Sequence, residues 1–455
     1  MRRFACVAFA GAVASCGFGL PLRAAVTAPE AAQLKSTLTP VGAERAGNKD
    51  NSIPAWTGGL TTPSSDYKEG MPRPDPFSAE KPLFSITVAN FQSYADHLPE
   101  GAKALFRKFP DYRMDVYPTH RTAAAPAWVY ANILQNATRA HPAAEGIAYG
   151  VSGAAGGIPF PIPHDGFEAM WNHLLAFWGP AREVQLNTYV VSADGSTELA
   201  SGYREIADFP YYAPNATPDS VGSYYFKTLH VEDAPPAHVG EGYLDWQPIN
   251  TQRYSFAAWR ILPGEHRVRR GPSLSYDAPD PDAAGFESLD EYYMFFGALD
   301  HYDFKLLGKR EMYIPYNNNR MYLRPTAEIL GPKHANPNDL RYELHRVWVV
   351  EGTVRAGAHD IVPHRVLYLD EDTWMAVYSD SWNDSGKFWK FGQATMYLMP
   401  EIPTVILGSQ FVYDLDIGGY VFAFAFNDEP ETYKVTAPHP ASLFTPESLA
   451  ARAVR

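Results

Sequence analysis

The segments RYELHRVWVVEG (341–352) and HRVLYLDEDTWMAVYSDSWNDSGKFWKF (364–391) decide the fold. Two runs of β-forming residues are split by the polar turn Asp370-Glu371-Asp372-Thr373. A second turn, Asn383-Asp384-Ser385-Gly386, separates the outgoing strand from another aromatic run. Short apolar and aromatic runs joined by such turns read as an antiparallel meander. Large aromatics on its faces imply a curved sheet around a hydrophobic interior, and no catalytic motif stands beside it.

The rest of the chain agrees with a β-rich reading. Of 455 residues, 28 are Tyr, 25 Phe and 39 Pro, which favours strands and loops over long helices. Residues 182–203 form an expected hairpin with Asp194-Gly195 at the turn. Residues 254–270 form a second, turning at Pro263-Gly264-Glu265. Further strands are expected at 303–324, 341–354, 361–370, 374–380, 388–399 and 410–426. Helices are expected after Thr27, over 90–109 with a break at Pro99, from Asp165 through Trp178, after Ser288, and from Thr445-Pro446. At Asp165, a Glu three residues later completes a capping box. Residues 39–59 form a loop that carries Ile53 and Trp56, so it reads as ordered, with Glu44-Arg45 as an internal salt bridge fixing it. Neither a repeat nor a long linker divides the body, which reads as one domain over 25–455 with an N-terminal helical and loop region.

The formal net charge is −13, which argues against a nucleic-acid partner. Arg2 and Arg3 followed by the apolar run Phe4–Ala14 read as an export signal over residues 1–24. Its loss removes Arg2, Arg3 and Arg23 and leaves a charge of about −16. Both cysteines, Cys6 and Cys16, lie in this leader, so the body has no thiol chemistry. Cleavage after Ala24 would release a soluble periplasmic protein. Val13-Ala14-Ser15-Cys16 also fits a lipobox, which would anchor the chain to the outer membrane through Cys16; both readings stand.

Tyr420, Phe422, Phe424 and Phe426 stand at every second position and are expected on one sheet face. They read as a core face or as the wall of an apolar ligand cavity. The cavity reading takes Tyr420, Phe422, Phe424, Trp348, Trp374 and Trp389 as walls, with Trp171 and Trp178 on a covering helix. Arg267, Arg269 and Arg270 read as an ion-paired face. His345, His359 and His364 lack metal-ligand spacing, and Asp380, Asn383 and Asp384 lack an ordered calcium-loop series. Neither a GxSxG elbow nor a GxxxxGK[ST] phosphate loop occurs, so no catalytic residue, metal or cofactor is assigned.

TPVGAERAGNKD (39–50), IPAWTGG (53–59), GGIPFPIP (156–163), EAMWNHLL (168–175), HRVRRGP (266–272), LLGKREMYIPYN (306–317), RYELHRVWVVEG (341–352) and YDLDIGGY (413–420) resemble domain-of-unknown-function family 1329. That family comprises exported proteins of Gram-negative bacteria grouped with the lipoprotein carriers LolA and LolB. The resemblance implies a mainly β fold: a large twisted antiparallel sheet forming an incomplete, half-open β-barrel with helices on its concave face. It also implies association with a resistance-nodulation-division transporter and an outer-membrane β-barrel protein. The chain is far longer than those carriers, so lipoprotein sorting itself does not follow. The expectation is a non-enzymatic periplasmic carrier or chaperone for a lipid, sterol or acyl chain. The alternatives are an accessory or scaffold protein of an efflux pump or outer-membrane complex, and an exported hydrolase.

Overall fold

The computed structural model describes residues 26–265, 267–271, 276–429 and 433–453; the expected leader lies outside them. The strands are β1 Phe84–Thr87, β2 Arg113–Val116, β3 His141–Pro142, β4 Val151–Ser152, β5 Ala181–Val191, β6 Thr197–Asp208, β7 Tyr224–Ala234, β8 Gly242–Pro248, β9 Ala257–Ile261 and β10 Arg269–Arg270. They continue as β11 Tyr302–Pro315, β12 Tyr342–Val354, β13 His364–Asp370, β14 Ala376–Trp382, β15 Phe388–Met399, β16 Thr404–Asp414, β17 Tyr420–Ala425 and β18 Lys434–Thr436. All but β3 and β4 join one sheet in the order β1-β2-β12-β13-β14-β15-β16-β17-β5-β6-β7-β8-β9-β10, with β11 on β12 and β18 on β5. Its pairs are antiparallel except a parallel bridge, Tyr342 to Val116. The sheet is therefore mixed, and it does not close into a barrel because β10 pairs only with β9.

The meander is present in register: Val347 faces Asp370, Tyr368 faces Tyr378 and Asp380 faces Phe391. The expected strand 410–426 is two strands. Asp414 Oδ1 accepts the Asp416 and Ile417 N–H groups (2.8 and 2.9 Å) and turns the chain between them. Strands β7 and β8 and the helix Ala127–Arg139 were not expected. β7 carries Thr228, His230 and Glu232 on one face, so its pattern resembles a solvated surface more than an interior.

The helices are α1 Ala28–Ala31, α2 Glu100–Lys108, α3 Ala127–Arg139, α4 Gly166–Leu174, α5 Thr326–Ile329 and α6 Pro446–Ala453. Asp165 caps α4 by accepting the Glu168 N–H (2.9 Å), as its sequence requires. The helix stops at Leu174, so Trp178 lies beyond it rather than on its face. α2 has no cap of its own; the Asp380 carboxylate of β14 accepts the N–H groups of Glu100 and Gly101, both at 2.8 Å. Gly101 is needed there, since a Cβ would lie 2.0 Å from the Phe391 ring. Ser288 and Glu291 form the expected capping box, but the residues after it make a 3-10 stretch, Leu289–Met294, broken at Tyr293 (φ 53°). α6 packs Leu449 on Leu229, Leu244 and Ile261. The Leu289–Met294 stretch meets the opposite face, where Tyr293 bonds Arg182 of β5.

The loop 39–59 is pinned as expected, but not by a bond between Glu44 and Arg45. Glu44 pairs with Lys309 (3.3 Å) and Arg346 (3.4 Å), and Arg45 donates to the carbonyls of Ser36 and Leu38.

Candidate functional site

The aromatic stripe of β17 does not share one face. Its register on β5 shifts between Phe422 and Ala425, and Phe424 has φ 60°. The bulge turns the Phe424 side chain over. Phe422 stacks on Phe411 (4.5 Å), and Tyr420 lies against Tyr413 (5.2 Å). Phe424 stacks instead on Tyr293 (4.7 Å), across the sheet from Phe411. Phe426 returns to stack on Tyr322 (4.3 Å).

The tryptophans fall into separate places. Trp348 and Trp374 stack at 5.8 Å, and Trp374 donates to the Val41 carbonyl (2.8 Å), clamping the 39–59 loop to the meander. Trp389 donates to Asp414 (2.9 Å) at the far end of β15. Trp171 donates to the Ile147 carbonyl (2.7 Å). Trp178 meets Tyr293 edge-on at 4.9 Å, with the Arg182 guanidinium over its ring. Trp171, Trp178 and Phe424 thus gather around the Leu289–Phe296 segment. Tyr420, Phe422, Trp348, Trp374 and Trp389 do not join them.

Beside that segment lies a cleft of about 250 Å³. Trp171, Tyr225, Pro248, Phe256, Leu289 and Phe296 supply apolar walls; Gln247, Thr251, Ser255, Tyr276 and Asp290 supply polar ones. A void of about 20 Å³ adjoins it through Tyr225 and Phe296 and reaches Trp178 and Arg182. The Tyr225 hydroxyl is buried and has no hydrogen-bond partner. Burial pushes that phenol above its ordinary range, so it remains a donor. Asp290 accepts from Ser288 Oγ (2.6 Å) and Arg365 (2.6 Å), and burial raises its carboxyl to about 6. Exposed Ser255 stands at the mouth.

Only Trp171 of the sequence-derived wall residues borders this cleft. Tyr225 and Phe256 were missed because the cleft draws on five segments far apart in the sequence: Trp171, Tyr225, 247–256, Tyr276 and 289–298. The stretch 248–256, mostly polar with Tyr254 and Phe256 at its end, gives no periodic signal.

The polar turn of the meander is buried and ion-paired. Arg121 grips Asp372 with two bonds (2.7 and 2.8 Å), while Lys309 and Arg346 reach Glu371 (2.9 and 3.3 Å). Thr373 Oγ1 donates to Asp370 (2.8 Å). Burial, then the charge of Asp372, raises the Asp370 carboxyl to about 7. The tightness of these pairs suits a structural knot. Exposed Arg269, from the expected ion-paired face, bonds Glu265 (2.7 Å). No described helix is long and apolar enough to cross a membrane.

Residues 85–450 match the family described as protein of unknown function (DUF1329). The uncharacterized protein PA3922 of Pseudomonas aeruginosa is 36% identical over 440 residues, covering 95% of each chain. Among solved structures, a DUF1329 family protein from Desulfovibrio piger is similar at TM-score 0.42 and 14% identity, over 60% of this chain and 92% of its own. The LolA superfamily protein NE2245 from Nitrosomonas europaea is similar at TM-score 0.36 and 13% identity, over 61% and 95%. The match across most of the chain and the 36% identity at nearly full length make this protein a member of the DUF1329 family.

Proposed function

We propose that this protein is a non-enzymatic periplasmic carrier that holds the apolar part of a lipid, sterol or acyl chain in the cleft beside Trp171. The observation that carries the reading is a cleft of about 250 Å³ with aromatic and aliphatic walls and one unpartnered donor, the Tyr225 hydroxyl. An amphipathic ligand answers both features: methylenes or rings against Phe256 and Phe296, and an acceptor oxygen on Tyr225. Each buried methylene contributes about 0.8 kcal/mol. Pockets that engulf a whole small ligand span about 300–1,000 Å³, so the cleft suits one chain end or ring system rather than an entire diacyl lipid. Export through residues 1–24, delivery to or from a resistance-nodulation-division transporter and exchange with an outer-membrane β-barrel protein belong to the same reading.

The test is to purify the protein without detergent and identify co-purifying small molecules by mass spectrometry of an organic extract. A stoichiometric lipid, sterol or fatty acid in the wild type, lost in Ser255→Trp, is the expected result. An extract free of such molecules, from protein that also takes up none when offered, would overturn the carrier and favour an accessory or scaffold role.

A further inference from the structure

Three buried clusters combine a histidine with two acids among the described residues: Asp290/His301/Asp360, His345/Asp370/Asp372 and His230/Glu232/Asp282. The first is closed by Arg365, which lies 2.6 Å from Asp290 and 3.3 Å from Asp360. The second is closed by Arg121 on Asp372 (2.7 Å), with His345 turned to Glu343 (3.2 Å). In the third, no described arginine or lysine pairs with Glu232 or Asp282. Arg260, whose charge feels Asp282, is bonded to Glu241 instead (2.5 Å).

The third cluster also has a built geometry. His230 and Glu232 stand two apart on β7 and so share a face. The tight turn after Asp280 brings Asp282 over them, with the Gly285 N–H on the Asp280 carbonyl (2.8 Å). The His230 ring is sandwiched between Tyr203 (4.3 Å) and Tyr243 (4.9 Å), which fixes its plane. His230 is 8% exposed, and its Nε2 has no hydrogen-bond partner. That nitrogen lies 4.0 Å from Glu232 Oε1 and 4.0 Å from Asp282 Oδ2. Ser201 Oγ (3.0 Å to Oε2, 3.1 Å to Oε1) and the Gly202 N–H (3.2 Å to Oε2) orient the Glu232 carboxyl. Burying two carboxylates and a bare imidazole nitrogen together without a cation is costly.

We propose that His230 Nε2, Glu232 Oε1 and Asp282 Oδ2 bind a divalent transition-metal ion of the zinc class. Imidazole with carboxylates suits such ions, whereas calcium and magnesium call for more oxygen ligands. Bonds of about 2.1 Å in a tetrahedral site put ligand atoms about 3.4 Å apart, and the three ligand atoms already lie within 4.8 Å of one another. Asp282 is partly exposed, which gives the ion a way in and leaves room for water as a further ligand. The site stands apart from the cleft and does not depend on the carrier reading.

The test uses tag-free protein stripped with a chelator and titrated with zinc chloride in competition with a chromophoric chelator. One zinc per chain is expected. His230→Gln and Asp282→Asn should each weaken it at least about tenfold, and His345→Gln should leave it unchanged. Zinc should also raise the melting temperature of the wild type and not that of Asp282→Asn. Asp282 reaches solvent, so this variant carries the test if His230→Gln fails to fold. Absence of saturable zinc uptake by the folded wild type, or uptake that survives Asp282→Asn undiminished, would overturn the site.

Discussion

The two halves of the sheet are built differently. From β12 to β17 the interior is solid: β14, β16 and β17 bury almost every residue, aromatic rings stack in pairs, and the buried acids Glu371 and Asp372 each meet a cation. From β5 to β9 the interior is looser and polar, with a cleft beside Tyr225 and acids at Glu232 and Asp282 that meet no described lysine or arginine. Orphan polar atoms occur in both halves, but with different surroundings. The Tyr112 hydroxyl also lacks a partner, yet its ring is packed on Phe106 (4.9 Å) and His334 (5.3 Å). Tyr225 faces space. The groups free to meet a ligand therefore lie outside the ion-paired frame, in the half that carries the cleft.

This contrast can be broken by mutation. The largest effect is expected from Arg121→Met, which leaves Asp372 buried and unpaired beside Glu371 and should cost about 3–5 kcal/mol of unfolding free energy in urea titrations. A loss below 1 kcal/mol would mean that the knot is not holding the solid half together.

A paired comparison comes next. Phe422→Ala opens a cavity at a fully buried position stacked on Phe411 and should cost about 3–4 kcal/mol. Phe256→Ala, at a half-buried cleft wall, should cost under about 2 kcal/mol while weakening ligand uptake. Equal costs at the two sites would erase the distinction between frame and cleft.

Read from one pH unit to the next, at most about 1.4 kcal/mol, the smallest effect is one of pH. The Asp370 carboxyl titrates near 7 in the folded chain, above its ordinary value of 3.8. The folded state holds its proton between those values, so its contribution is fully present below 3.8 and is lost as pH rises through 7. Asp370→Asn should remove a slope of at most about 1.4 kcal/mol per pH unit from the stability profile over that window. An unchanged profile would show that Asp370 is ionised throughout.

Much of the frame was legible in the sequence, because period-two runs and Asp-rich turns state strand and turn directly. The meander, the Asp165 cap of α4 and the Ser288–Glu291 box all follow from local chemistry. α3 escaped notice because its buried stripe is thin, mainly Val129, Ile133 and Ala137 around polar neighbours. β7 escaped because its inward face carries a histidine and a glutamate, which read as surface. The aromatic stripe of β17 misled at Phe424, whose positive φ no neighbouring glycine announces. Trp171 was the one cleft residue found in advance, through the helix that carries it; the others converge only through tertiary pairing.

The most direct test of the central claim, that the cleft beside Tyr225 and Trp171 takes an apolar ligand, is a fluorescence titration with an environment-sensitive fatty-acid probe. The account predicts one saturable site, displaced by an unlabelled single-chain fatty acid, with affinity lowered at least about tenfold by Ser255→Trp and reduced by Tyr225→Phe. Phe422→Leu, in the solid half, should leave it unchanged. Binding that ignores Ser255→Trp and Tyr225→Phe but falls with Phe422→Leu would contradict the account and move the ligand to the other half of the sheet.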